Sequence, residues 1–427
     1  MTSRIRALRT AVVGATAAAL LLTGCAGGGG AGEGKDIELR FTWWGSDTRH
    51  ALTEEAIALF EEDNPGITIV GEYSDFASYW EKLATSVAAN DAPDVMQFDE
   101  MYLREYADRG ALADLSTLDI DTADYAAEVL ATGENDGGLT GLSIGVTSPV
   151  MIANPAVFDG AGVPVPDGDT WSWDDYLATS AAVTAAGGGS VWGSETLGFE
   201  VQGLIVWARQ HGEALYDADG LAISEETLAG FWEMVLEGQA EGATPPASRA
   251  VEEISLSLEQ SGTATGQLAL GEWWSHNLAV LDGASGQSLE LLRMPGSSDA
   301  EGSDYLKSSM YWTISSRSAN QEAAAKFVDF LANDERVGEL FLAERGIPSN
   351  LAIREAVADQ LSPSDQTVLA YIDAISEVIG DPPVTAPAGG GATQSVLQRY
   401  TTEVLFERMT PAEAATAFID EVNANLG

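Results

Sequence analysis

The chain has 427 residues, of which 66 are Asp or Glu and only 20 are Lys or Arg, for a formal charge of −46. A surface of that sign repels phosphate backbones and anionic lipid surfaces, which argues against nucleic acid as a partner and disfavours anionic substrates; by itself the acidity reads as a solvated surface, not as a cation site. With Cys25 the only cysteine, neither a disulfide framework nor a thiolate metal site can form, and the three histidines, His50, His211 and His276, have no metal-ligand spacing.

The chain opens with Arg4, Arg6 and Arg9 and no acid, followed by apolar or small residues from Ala11 to Leu22, the plan of an export signal. Twelve residues in a helix reach about 18 Å, short of a bilayer core of about 30 Å. Leu22-Thr23-Gly24-Cys25 resembles a bacterial lipobox. The resemblance implies that residues 1–24 are a signal peptide, that Cys25 receives a diacylglycerol thioether, and that the mature protein is anchored at the outer face of the cytoplasmic membrane; an uncleaved anchor helix is the alternative. Residues 25–35 then read as the lipidated cysteine and a Gly-rich tether. The remaining length predicts two domains or one bilobal domain.

From Ile37 onward, strands alternate with helices. Ile37, Leu39 and Phe41 alternate as a strand; Thr48 to Asp63 has Leu52, Ala56, Leu59 and Phe60 at helical spacing and stops at Asn64-Pro65-Gly66. Ile67 to Val70 is the next strand, Ser78 to Ala89 a helix, and Asp94 to Phe98 a third strand, which is an α/β pattern. Such sheets hold ligands beyond the carboxyl ends of their strands, here the segments near Trp43, Tyr73 and Asp99. Ser172 with Asp175, and Thr410-Pro411-Ala412-Glu413, fit helix starts, and Trp171, Trp173 and Trp232 read as packing.

The strings FTWWGSDTRH from Phe41, FEEDNPGITI from Phe60, YWEKLATSVAANDAPDVMQFD from Tyr79, NPAVFDGAGV from Asn154, TWSWDDYLA from Thr170, GQLALGEWWSHN from Gly266 and the segment from Ser318 to Asn350 occur in this order. Together they resemble extracellular solute-binding proteins of carbohydrate ABC importers. The resemblance implies an α/β, bilobal, periplasmic-binding-protein-like clamshell, two lobes joined by three hinge crossings that close on ligand. The crossings are expected near 147–152, 293–296 and 346–351. These bounds divide the chain into a first lobe of residues 36–148 plus 296–347 and a second of 152–293 plus 350–427.

A pyranose offers C–H faces to aromatic rings and hydroxyls to directional donors and acceptors, so its site wants tryptophan beside carboxylates and amides. Trp43 and Trp44 with Asp47 and Arg49 supply this mixture at one strand end, and Glu272 with Trp273 and Trp274 supplies it again; Tyr311 and Trp312 could add a wall. Because strand neighbours point to opposite faces, only one tryptophan of each pair is expected in the cleft, the other in a core. Asp99 is the leading acidic contact, with a helix N-cap as its competing role; Tyr79, Tyr102 and Gln202 complete the candidates, while Pro382 to Ala392 lacks an aromatic residue. Gly141-Leu142-Ser143-Ile144-Gly145 matches a nucleophile-elbow pattern but sits in a strand-like context, against catalysis by Ser143. The expectation is a monomeric, non-enzymatic receptor without cofactor or metal that passes a sugar or short oligosaccharide to an ABC permease. A polyamine or polyol receptor and a secreted carbohydrate-active enzyme are the alternatives.

Overall fold

Alternation of large side chains along the first strand sets the layers of the molecule. In the computed structural model, which describes residues 36–217 and 220–426, strand β1 (Ile37–Trp44) buries Leu39, Phe41 and Trp43 on one face and Trp44 on the other. The expected signal peptide, Cys25 and tether lie outside the described residues. Ser46 caps the helix Asp47–Asp63 by accepting from the Arg49 amide, and the chain returns to β2 (Ile67–Ser74), parallel to β1. The next helix, Phe76–Ala88, starts two residues earlier than its periodicity suggests because Asp75 accepts from the Ser78 amide. Strand β3 (Val95–Phe98) then pairs parallel with the other edge of β1.

After a short hairpin of β4 (Glu134–Asn135) and β5 (Gly138–Leu139), β6 (Leu142–Thr147) is followed almost at once by β7 (Pro149–Ala153). The remaining strands are β8 (Trp192–Ser194), β9 (Leu268–Trp274), β10 (Glu290–Leu292), β11 (Lys307–Ile314) and β12 (Ile347–Pro348). They form a six-stranded sheet in the order β12-β6-β11-β3-β1-β2 and a four-stranded sheet in the order β10-β7-β9-β8. Helices cover both sheets, and the mixed α/β class matches the alternating pattern of the sequence. Among the described residues no helix is long and apolar enough to cross a membrane.

One core lies on the Phe41 face of the larger sheet, where Phe60, Trp312 and Phe327 surround Phe41 and Trp43. The opposite face holds an aromatic cluster of Trp44, Tyr79, Trp80, Phe98, Tyr106 and Tyr311. A further core packs Phe158, Tyr176, Leu204, Trp232 and Phe418 against the smaller sheet. Residues 351–375, expected with the second lobe, pack differently: Ile353, Val357, Val368, Ile372 and Ile375 join the core of the larger sheet, together with Leu278 and Leu281 from beside the smaller one. Packing therefore runs without a break across the region where the third crossing was expected.

Trp171, Trp173 and Trp232 pack as their sequence context suggests. Trp171 donates from Nε1 to the Arg293 carbonyl at 2.9 Å, and Ser172 and Asp175 form a reciprocal capping box. Thr410 and Glu413 also bond each other's backbone amides, opening the last helix at Pro411. Trp232 is fully buried and donates to the Thr401 hydroxyl at 2.8 Å. Trp232→Ala removes that bond and opens a cavity, so it should cost about 3–5 kcal/mol, measured as a fall in unfolding free energy by chemical denaturation.

Candidate functional site

Two neighbouring strand ends of the smaller sheet bring carboxylates together. Strand β8 runs parallel to β9, and the residue after it, Glu195, accepts a hydrogen bond from the backbone amide of Glu272 near the end of β9. The helix Val201–Gln210 begins against the same spot, with Glu200 at its N-cap position and Gln202 in its first turn. Gly203 lets the two elements approach: a β-carbon at that position would stand 2.5 Å from Glu272 Oε1 and displace that carboxyl. Glu253, from the helix Ala247–Glu253, completes the acidic set.

These residues line a cavity of about 340 Å³ whose other walls include Phe199, Trp273, Trp274 and Asn277. The ring of Trp273 folds back over Gly271, where only hydrogen leaves room, and its Nε1 donates to the Thr263 hydroxyl at 3.2 Å. The Trp274 amide donates to Asn277 Oδ1 at 3.2 Å, and the Lys307 ammonium lies 4.9 Å from the centre of the Trp274 ring while pairing with Glu100 at 3.0 Å. Both tryptophans of this pair reach the cavity lining.

Burial governs the electrostatics. Glu272 is 3% exposed, and its Oε1 atom has no hydrogen-bond partner. Burial, reinforced by the charge of Glu200, pushes its carboxyl up to about 8, with the Gly203 amide pulling the other way. Burial and the neighbouring Glu272 also hold Glu195 well above the usual carboxylate range. Burial raises Glu200 too, partly offset by Gln394, whose Nε2 donates to it at 2.6 Å. Glu253 is paired with Arg249 at 2.6 Å and accepts from the Gly262 amide.

The structure brings four expected residues, Gln202, Glu272, Trp273 and Trp274, to one cavity. Trp43 is not among them: it is fully buried, stacked on Phe41 at 4.8 Å and bonded to His50. Tyr79, Tyr311 and Trp312 are likewise core residues. The Tyr79 hydroxyl donates to the Gln97 carbonyl at 2.5 Å and that of Tyr311 to the Thr132 carbonyl at 3.0 Å, while Trp312 lies edge-on to Phe41. Trp44 is 7% exposed among Phe76, Tyr79 and Trp80. Asp99 takes its competing role as N-cap, accepting from the Met101 amide at 3.0 Å, and Tyr102 leans on Trp80 with ring centres 4.0 Å apart. Asp47 is exposed in the first turn of its helix. Arg49 is a brace, donating to both carboxylate oxygens of Glu344 at 2.8 and 2.9 Å.

Glu195, Glu200 and Glu253 line the cavity but are not among the residues singled out from the sequence. The signal available for Glu195 was its place directly after Trp192-Gly193-Ser194, too short a run to read as a strand unaided. Ser143 lies buried within β6, its hydroxyl bonded to those of Ser308 and Ser349, with a second strand after it instead of the helix that a nucleophile elbow needs. The proline- and glycine-rich segment from 382 to 392 is tied in at Thr385, whose carbonyl accepts from Arg104 at 3.0 Å. Among the described residues no cluster of His, Cys, Asp and Glu has the arrangement of a metal site.

A sequence profile described as bacterial extracellular solute-binding protein matches residues 55–365. An uncharacterized lipoprotein of Streptomyces antibioticus is 27% identical over 173 residues, 39% of this chain and 38% of its own length. The chain spans 35–38% of the length of the curated relatives it matches. Among solved structures, an extracellular solute-binding protein family 1 from Alicyclobacillus acidocaldarius is 28% identical, with a TM-score of 0.75 over 92% of this chain and 99% of that one. A periplasmic oligogalacturonide binding protein from Yersinia enterocolitica, in complex with saturated digalacturonic acid, is 20% identical with a TM-score of 0.74 over 92% of this chain and 100% of its own. The described residues therefore have the periplasmic solute-binding fold.

The buried carboxyls make stability fall with rising pH. Unfolded Glu272 ionises near its ordinary 4.5 whereas the folded residue keeps its proton to about 8, so between those values the unfolded state binds fewer protons. Glu272→Gln should flatten this dependence and be the more stable protein at pH 8 by on the order of 1 kcal/mol. Parallel melting curves from pH 5 to 9 check this; identical slopes for the two proteins would show that Glu272 is ionised throughout.

Proposed function

The chain belongs to the bacterial extracellular solute-binding proteins, and on that premise we propose that it is a receptor for a sugar or short oligosaccharide, which it delivers to the permease of an ABC importer. The observation that carries this reading is the cavity at the ends of β8 and β9, where Phe199, Trp273 and Trp274 stand beside carboxylates and the amides of Gln202 and Asn277. Aromatic faces take the C–H faces of a pyranose and the polar groups take its hydroxyls, so the lining matches the amphipathic character of a sugar. The Yersinia enterocolitica protein of the same fold, with its digalacturonic acid, supports a saccharide-sized solute.

The receptor acts as a monomer without cofactor and without a covalent step. Its two lobes, each built on one sheet, close on the solute, and the solute drives closure by its higher affinity for the closed state. The first lobe comprises residues 36–148 plus 296–347, with the helices of 351–375 packed on its core, and the second comprises 152–293 plus 376–427, with β6 passing directly into β7 at the first crossing. Trp44, Asp99 and Tyr102, at the carboxyl ends of β1 and β3, are first-lobe candidates for contact in the closed state. Cys25 carries the lipid that holds the receptor at the outer face of the cytoplasmic membrane, a reading supported by the Streptomyces antibioticus lipoprotein.

A thermal-shift panel of mono- and oligosaccharides, polyamines and amino acids tests the reading, because a solute that binds only the native state raises its melting temperature. A selective shift within one saccharide series is expected; a shift with amines alone would overturn the sugar assignment. With the identified sugar, Trp273→Ala or Trp274→Ala should weaken binding about tenfold or more, about 1.4 kcal/mol, while melting stays cooperative. Unchanged affinity in both variants, measured by fluorescence titration, would move the site elsewhere. Cys25→Ser should shift the protein from the membrane to the soluble fraction of an expressing bacterium.

A further inference from the structure

The cavity at the ends of β8 and β9 has a charge imbalance that a neutral sugar leaves unresolved. Four carboxylates, Glu195, Glu200, Glu253 and Glu272, line it, and no lysine, arginine or histidine does. Arg249, on the same helix as Glu253, is already paired with that acid. Glu272 Oε1 is buried without any hydrogen-bond partner, in a residue that lines the cavity. A buried acceptor left unpaired is costly, and the desolvation of a carboxylate is relieved most by a cation that also donates hydrogen bonds. The remaining walls, the faces of Phe199, Trp273 and Trp274, are also attractive to a cation.

Resting on the sugar-receptor reading above, we infer that the solute carries a protonated amine: it is an amino sugar or an oligosaccharide containing one, with its ammonium held between Glu272, Glu195 and Glu200. An ammonium group has three donors and no acceptor, which suits three carboxylates from separate elements. Hydroxyls on the rest of the ring bond Gln202 and Asn277. A uronic acid such as the one held by the Yersinia enterocolitica protein would bring a further carboxylate among four acids with no cation in the lining.

Binding should also move protons. Glu200 and the Gly203 amide, at the start of the helix Val201–Gln210, act on Glu272, which in turn acts on Glu195 after β8 and on the hydroxyls of Tyr176 and Tyr305, with Lys307 beyond Trp274. Without ligand the Glu272 carboxyl keeps its proton to about 8; an ammonium beside it favours the ionised form, so the proton leaves to solvent as the cation enters. Up to about one proton is released per ligand at pH 7.

Isothermal titration of the protein with glucosamine, galactosamine and their β-1,4-linked dimers, against the N-acetylated and the neutral hydroxyl counterparts and against spermidine, tests this. Amine-bearing saccharides should bind at least tenfold tighter than their neutral counterparts, with proton release seen as a dependence of the heat on buffer ionisation enthalpy. Glu272→Gln should erase the amine preference and the proton release while leaving the protein folded. Equal or tighter binding of neutral saccharides overturns the ammonium inference and leaves the sugar receptor standing. Binding of spermidine with no saccharide overturns the sugar reading, and binding of none of these probes at millimolar concentration overturns both.

Discussion

A single residue, Ser148, separates the last position of β6 in the larger sheet from the first position of β7 in the smaller one. So short a connection forces the two sheets to share a boundary, and the chain ties it with hydrogen bonds. The Ser148 amide donates to the Ser275 hydroxyl at 3.2 Å, the Thr147 and Ser275 hydroxyls are 3.1 Å apart, and His276 Nδ1 lies 2.9 Å from the Thr147 hydroxyl. Ser275 and His276 directly follow Trp274, so the residues that carry the cavity wall are anchored to the junction between the sheets. Lys307, at the start of β11, adds a further tie by touching Trp274 on one side and Glu100 on the other. A rotation at the junction would therefore act directly on Trp274 and its surroundings, the arrangement a closing receptor needs.

The placement of positive charge follows from the excess of acids. With 20 cationic residues against 66 acids, several arginines serve inside the fold. Arg345 is buried, donates to Thr53 at 2.7 Å and to Gln97 at 3.2 Å, and lies 4.4 Å from the Phe341 ring centre; burial and the charge of Arg49 push it down to about 9. Arg293 pairs with the buried Asp304 at 2.6 Å, and Arg49 with Glu344 at 2.8 Å. Arg49 and Glu344 join segments 295 residues apart, whereas Arg293 and Asp304 lie 11 residues apart and brace one loop. Their cost of desolvation is met by several hydrogen bonds apiece, as buried ions require. The cavity beyond β8 and β9 has no cation of this kind in its lining, which sets its carboxylates apart from the structural acids.

Much of the framework was legible because it depends on neighbours in sequence. Period-two alternation located β1, β2 and β3, and cap residues located the helices that begin at Trp173 and Pro411. The opposed faces of Trp43 and Trp44 follow from strand geometry alone. The same reasoning left undecided which ring of each pair reaches a cavity. Trp43 is in a core because helix residues Phe60 and Phe327 pack on its side of the sheet, whereas Trp273 and Trp274 both line the cavity, the Trp273 indole lying over Gly271.

By itself, then, the sequence determined the α/β class, the element order, the export signal's plan and the presence of tryptophan beside acid at strand ends, since each is written in local periodicity, capping chemistry or composition. Only the tertiary structure decided that Asp99 is a cap, that Arg49 is matched with Glu344, and that the third expected crossing lies within continuous packing. It also decided that Glu195 and Glu272, 77 residues apart, share one hydrogen bond and one cavity with Glu200 and Glu253. The physical reason is that burial raises the cost of a charge only once distant segments have excluded water from it, and which segments do so is a property of packing between elements, not of the order of residues within any one of them.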